Sequence, residues 1–385
     1  MQRDGNALTK ALRFLPSAPW SATLVKLYIT LNDTDTDLQA FMRVVENAAQ
    51  LKTLGFSASY MKAIDGRIIY ECGVGEMILR DLFSHVSRSG VLHPLLVDRL
   101  ELHYISMLCS QPAAFWQVID FTRLKELALL SCPGLESCLS ALTSLFQRTD
   151  PSLTRLVLLG SCIGEDILES FLQSFVGLQS LSINTMSVNN KLNLPVDGII
   201  RHGRTLKKLE VCYYSANFTS LLSIANNDLQ RIVNDCQNLV HFTAPMPWVS
   251  MERAKTGCWS SFGEAIACLS RLSRLLFLNL VHWPYSQAKH KDVLALYLME
   301  VDEFATNVMQ YMDSERDASN LASSRPPILM FGCPGYIRNS DDVPAGLKEV
   351  CYIPAIQTNV FNQNFRVAIR EHPHRLRFIE PAATI

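Results

Sequence analysis

The run Gly160-Ser161-Cys162-Ile163-Gly164 is the part of the chain whose residue types come nearest to a reaction centre. A nucleophile lifted above an α/β sheet by a strained strand-to-helix turn reads Gly-x-Cys-x-Gly, and here alternating apolar residues precede the motif while helix-spaced ones follow it. Cys162 as the nucleophile of a Cys-dependent hydrolase is therefore one reading. A thiol of that kind needs an ordered base beside it, and no His/Asp partner set is evident. His372-Pro373-His374 offers two imidazoles where zinc takes about four ligands, and no Cys-x-x-Cys or His-Glu-x-x-His accompanies it. Cys132 and Cys138 are not at ligand spacing. Gly73-Val74-Gly75 lacks the third glycine and the lysine of phosphate-cradling loops. The expectation is no metal, no cofactor and no enzyme.

Around these residues one template recurs. Leu-x-x-Leu-x-Leu stands at Leu124/Leu127/Leu129, Leu153/Leu156/Leu158 and Leu178/Leu181/Ile183. Further copies begin at Leu24, Leu51, Val97, Leu206, Leu239 and Leu275, giving steps of 27, 46, 27, 29, 25, 28, 33 and 36 residues. Most steps lie in or near the window of about 20–29 residues that marks a leucine-rich repeat. Each step has the same grammar. After Leu153 come a short alternating strand, a turn over Gly160 to Gly164, and Ile167, Leu168, Phe171, Leu172 and Phe175 at helical spacing. After Leu124 come the turn Pro133-Gly134 and a helix face of Leu135, Leu139, Leu142 and Phe146, with Cys132 where this repeat class prefers Asn or Cys to bond the turn backbone. The recurrence supplies a bland reading of Cys162: every repeat has a strand, a turn and a helix there.

The expected fold is α/β, a right-handed leucine-rich-repeat solenoid with parallel strands on the concave face and helices outside. About nine irregular repeats fill 24–284, behind an N-terminal cap over 1–23. The 46-residue step carries a loop or hairpin over Ile64 to Tyr70 and a helix from Met77 to Val86. The loop over 245–261, rich in Pro, Trp and Met, is expected to project as a rim. After Pro284 the pattern stops, and 285–385 reads as a C-terminal α+β cap. It comprises a helix over Lys289 to Glu315 and strand-like runs at Ile328 to Phe331, Glu349 to Ile353, Phe365 to Ile369 and Arg377 to Ile379.

The bulk numbers narrow the function classes. At 385 residues, 48% hydrophobic and 18% charged, the chain has ample material for a continuous core. Formal net charge is -1, so no global basic field draws nucleic acid or anionic lipid. An RNA-binding solenoid is a further alternative; it needs a basic groove with stacking aromatics. Eleven cysteines without framework spacing, and an N-terminus without an apolar signal core, read as a reduced intracellular protein, cytoplasmic or nuclear. No apolar run approaches the roughly 20 residues of a membrane helix.

In each strand the Leu positions enter the core and the intervening positions face the concave side. Across repeats those positions put Arg99, Arg155 and Lys208 in one row and Glu101, Val157 and Glu210 in the next, with Leu130 and Leu159 farther along. An apolar centre with a charged rim is how protein interfaces are built. The residues chosen for partner binding are Arg99, Glu101, Tyr104, Leu130, Arg155, Val157, Leu159, Lys208, Glu210, Tyr213 and Trp248.

The irregular steps near 27 residues, the strand-turns LKELALLSC and LTRLVLLGSC, the strand LSRLLFLNLVHW and the tail segment RPPILMFG together resemble the repeat region of F-box proteins, the divergent fungal set in particular. That resemblance implies a substrate-holding solenoid, a protein ligand on the concave face, and a link to a cullin ubiquitin ligase through its adaptor. Leu15-Pro16 is similar to the start of an F-box, but the acidic residue expected soon after is absent, Pro19 interrupts the helix, and a repeat strand begins at Leu24. No F-box is expected within this chain.

Overall fold

The computed structural model describes residues 24–31, 48, 50–58, 61–64, 67–70, 95–105, 107, 119–187, 194–215, 222–247, 249–257, 259–284, 294–319, 326–332, 349–358 and 364–371. Expectations for 1–23, Gly73 to Gly75, the helix from Met77 to Val86, Trp248, His372 to His374 and Arg377 to Ile379 lie outside them. The fold is α/β and mostly parallel. It divides into two compact units, residues 1–186 and 187–385, a boundary inside the stretch expected as one array.

In unit 1, six strands run parallel: β1 (Lys26–Leu31), β2 (Thr53–Ala58), β5 (Arg99–His103), β6 (Glu126–Leu130), β7 (Arg155–Cys162) and β8 (Ser180–Ser187). Between β2 and β5 a small antiparallel hairpin, β3 (Met61–Ile64) and β4 (Arg67–Tyr70), occupies the long step. The templates stack in register: Leu54 lies beside Leu100, Leu100 beside Leu127, Leu127 beside Leu156, and Leu156 beside Leu181. All five are buried. A second column, Phe56, Leu102, Leu129, Leu158 and Ile183, is buried likewise. Just before β2, β5, β6 and β7 one carbonyl accepts two amides of the next chain segment. The Lys52, Asp98, Lys125 and Thr154 carbonyls each take such a pair at 2.7–3.0 Å.

Helices α1 (Leu135–Phe146) and α2 (Glu165–Gln173) close this core. Leu135, Cys138, Leu139, Leu142 and Phe146 recur at the 3.6-residue period and make the buried stripe of α1. Phe146, Phe171 and Phe175 meet with ring centroids 5.4–5.7 Å apart. The structure corrects one local expectation here. The turn placed over Gly160 to Gly164 is not a turn from its first residue, because β7 stays in the sheet through a bulge and Cys162 pairs with Met186. The bulge uses a left-handed residue, Gly160 at φ +72°, and Tyr104 and Ser131 follow β5 and β6 at the corresponding place with φ 57° and 52°.

In unit 2, β9 (Lys208–Ser215), β10 (His241–Thr243), β11 (Phe277–Asn279) and β12 (Ile328–Gly332) are parallel, and β13 (Glu349–Thr358) and β14 (Asn364–Glu371) continue antiparallel. The column Leu209, Phe242, Leu278, Leu329 shows that the parallel ladder passes Pro284 and takes in β12. Helices α3 (Val196–Arg201), α4 (Asn226–Asp235), α5 (Met251–Lys255), α6 (Ser260–Ser270) and α7 (Leu294–Ala318) complete the unit. The segment 245–261, expected as a bare loop, holds α5, which starts where Ser250 Oγ accepts the Arg253 amide at 3.3 Å.

Helix α7 buries Tyr297, Val301, Phe304, Ala305, Val308, Met309 and Met312, while Leu296 faces out. Tyr352 of β13 donates its hydroxyl proton to Asp302 Oδ1 at 2.8 Å, and Phe331 lies 5.9 Å from the rings of both Phe304 and Tyr352. Arg316 is fully buried and donates to the Ser270 and Leu272 carbonyls at 3.2 and 3.3 Å. A cation at the carbonyl end of α6 complements that helix's negative pole.

Candidate partner-binding face

The strand face of unit 1 carries side chains from the positions between the buried leucines. Arg99 is at the hub. Its guanidinium reaches Glu101 Oε2 at 2.8 Å and Glu126 Oε2 at 3.3 Å. His103 Nε2 meets the other Glu101 oxygen at 2.7 Å, and Arg155 approaches Glu126 at 3.8 Å. Parallel register makes the network, since it sets Arg99, Glu126 and Arg155 side by side on β5, β6 and β7. Burial pushes the Glu101 carboxyl up, yet the hydrogen bonds from His103 and Arg99 outweigh it and hold it below its ordinary range. Burial lowers the Arg99 pKa, and the Glu101 hydrogen bond with the nearby acidic groups more than reverses that. Among the described residues Arg99 Nε has no hydrogen-bond partner.

Beyond the charges, Val157, Leu130 and Leu159 are half-buried and adjacent, with buried Ala128 beside Val157. Ser180, Ser182 and Asn184 of β8 flank them. Of the residues chosen from sequence, Arg99, Glu101, Leu130, Arg155, Val157 and Leu159 are thus brought together. Tyr104 is half-buried, because its left-handed backbone ends the strand alternation. Glu126 and His103 belong to the network although they were not among the chosen residues. Their signal was their place in the same period-2 rows.

A third feature missed from sequence is Tyr28. Its ring lies across Gly55, where an added Cβ would stand 2.2 Å from a ring carbon, and its hydroxyl is 3.5 Å from Glu101. A glycine inside a strand is a readable sign of such an approach.

In unit 2 Glu210 Oε1 lies 3.0 Å from Lys208 Nζ and 3.5 Å from His241 Nε2. The face beyond them is closed, since Thr243 and Asn279 are only 4% and 5% exposed. Tyr213 is corrected: it is 6% exposed because it shares the parity of Leu209 and Val211 and points into the core. A small cleft lined by Met246, Pro247, His282, Trp283, Phe304 and others lies at the 245–261 segment. His282 Nδ1 donates to the Met246 carbonyl at 3.0 Å.

Burial pushes the Cys132 thiol up to about 11 and that of Cys236 up to about 12, and it raises those of Cys138 and Cys268. Such groups are protonated at neutral pH and inert as nucleophiles. Among the described residues no cluster of three His, Cys, Asp or Glu side chains forms a metal site, and no helix is long and apolar enough to cross a membrane. The chain matches no protein-family model and no curated protein.

Proposed function

We propose that the chain is a leucine-rich-repeat array capped by its C-terminal α+β segment, and that it is a non-catalytic protein-binding module. The strand face of unit 1 holds the ligand, as the repeats of F-box proteins hold substrates for a cullin ubiquitin ligase. The observation that carries this reading is the half-buried apolar group Leu130, Val157 and Leu159 beside the Arg99, Glu101, Glu126 and Arg155 network. An apolar centre with a polar border is the anatomy of a protein interface. Six strands at about 4.8 Å give a face roughly 24 Å across, enough for most of one partner's share of a standard interface.

The repeat assignment draws support from the in-register leucine columns. It also draws on Cys132, whose buried thiol donates to the Leu102 carbonyl of the preceding strand at 3.3 Å. We place the protein inside the cell, where reduced, buried thiols such as Cys132, Cys138 and Cys212 persist.

The test is affinity purification of the full chain from its own cells beside a Leu159→Glu/Arg155→Glu variant, with mass spectrometry of what co-purifies. A protein retained by the unmutated chain and lost from the variant supports the face. Ligase adaptor and cullin retained by both support the ubiquitin link. Identical sets without adaptor or cullin sink both parts of the proposal.

A further inference from the structure

We infer that the segment docking on unit 1 carries a carboxylate for Arg155 next to an apolar side chain seated on Val157, Leu159 and Leu130. This rests on the protein-binding reading above and names the chemistry of its partner.

The cations of the face are unequally satisfied. Arg99 already holds two carboxylates, at 2.8 and 3.3 Å. Arg155 meets only Glu126 among the described residues, at 3.8 Å, and that carboxylate is shared with Arg99. The Arg155 side chain is 46% exposed. It is the cation with most to gain from an incoming carboxylate, and a planar guanidinium takes one in a two-pronged hydrogen bond.

The apolar half follows from the same strand. Arg155, Val157 and Leu159 project from one face of β7 at two-residue intervals of roughly 6.8 Å, and Leu130 of β6 lies level with Leu159. An extended peptide aligned with β7 has the same spacing. An acidic residue and an apolar residue two or four positions apart then reach Arg155 and the patch together. On the β8 side Ser180, Ser182 and Asn184 bring no charge to compete. The other side sets a limit, for Glu101 and Glu126 repel a run of acids or a phosphate chain. The fit is one carboxylate among apolar residues, a protein segment and not a nucleic acid.

The test pans a phage-displayed library of random octapeptides on the immobilised full chain, on Arg155→Glu and on Leu159→Glu, with circular dichroism verifying each fold. The inference expects the unmutated chain to enrich Asp or Glu two or four positions from an apolar residue, and Arg155→Glu to enrich Lys or Arg there instead. A selected acidic peptide should lose about five-fold in affinity on the milder Arg155→Gln, the scale of one exposed ion pair.

Peptides that Leu159→Glu abolishes but that show no acidic preference, or whose preference survives Arg155→Glu, overturn the carboxylate inference and leave the face as a binding surface. Enrichment unaffected by either substitution, or no enrichment, overturns the inference and withdraws support from the face.

Discussion

Replacing Gly160 with alanine isolates what the first glycine of the Gly-x-Cys-x-Gly run is for. At φ +72° a residue with a Cβ costs about 1–2 kcal/mol of left-handed strain, against about 0.4–1 kcal/mol regained from a stiffer unfolded chain. The new Cβ would also stand 2.5 Å from Ser131 Oγ, a contact that cannot persist. Gly160 is exposed and Ser131 half-buried, so turning the Ser131 hydroxyl aside adds about 0.5 kcal/mol, for a net loss of about 1 kcal/mol. Urea unfolding of Gly160→Ala, Ser131→Gly and the double variant separates the two causes. The strain survives removal of the serine side chain; the clash does not. A coupling of about 0.5 kcal/mol is expected between neighbours in such contact. A Gly160→Ala protein as stable as its parent, or a coupling of zero, refutes the account.

Leu156 is fully buried in the first leucine column, and Leu156→Ala should cost about 3–5 kcal/mol, read as a shift of the urea midpoint; a cost below about 1 kcal/mol would show the column loosely packed. Because the folded Glu101 carboxyl titrates below its ordinary value of 4.5, its stabilisation is fully present above that pH and is lost as pH falls below it. The stability gap between the parent and Glu101→Gln should therefore close on acidification from pH 7 to pH 3. A gap that widens contradicts the sign. Cys132, Cys138 and Cys236 should resist iodoacetamide at pH 7 in the native protein and react after denaturation, as peptide mapping would show; native labelling within minutes would refute their burial.

The repeat columns were legible because the template Leu-x-x-Leu-x-Leu returns whole at Leu124, Leu153 and Leu178, although the steps between copies differ, 29 and 25 residues. The bulge at Leu159 and Cys162 was not, since Gly-Ser-Cys reads as a turn until the pairing with Met186 is known. The placement of Arg99, Glu101, Leu130, Arg155, Val157 and Leu159 on the strand face was readable from side-chain alternation. Tyr213 was misplaced by a count of one, and a period-2 pattern allows no such slip. The burial of Thr243 and Asn279 was beyond the sequence pattern, for alternation says which way a side chain points and not what packs over it.

The shared carbonyls before β2, β5, β6 and β7 make the spacing between strands immaterial to their registration. The Asp98 amide arrives after a 46-residue step and the Gln179 amide after a 25-residue one, yet each docks on the carbonyl left by the strand before, at 2.8 and 2.7 Å. Each rung hands the next its alignment locally, so whatever grows between two rungs leaves the rest of the stack in place. Such a chain can lengthen a rim or acquire a new loop in one repeat while the columns on either side keep their partners.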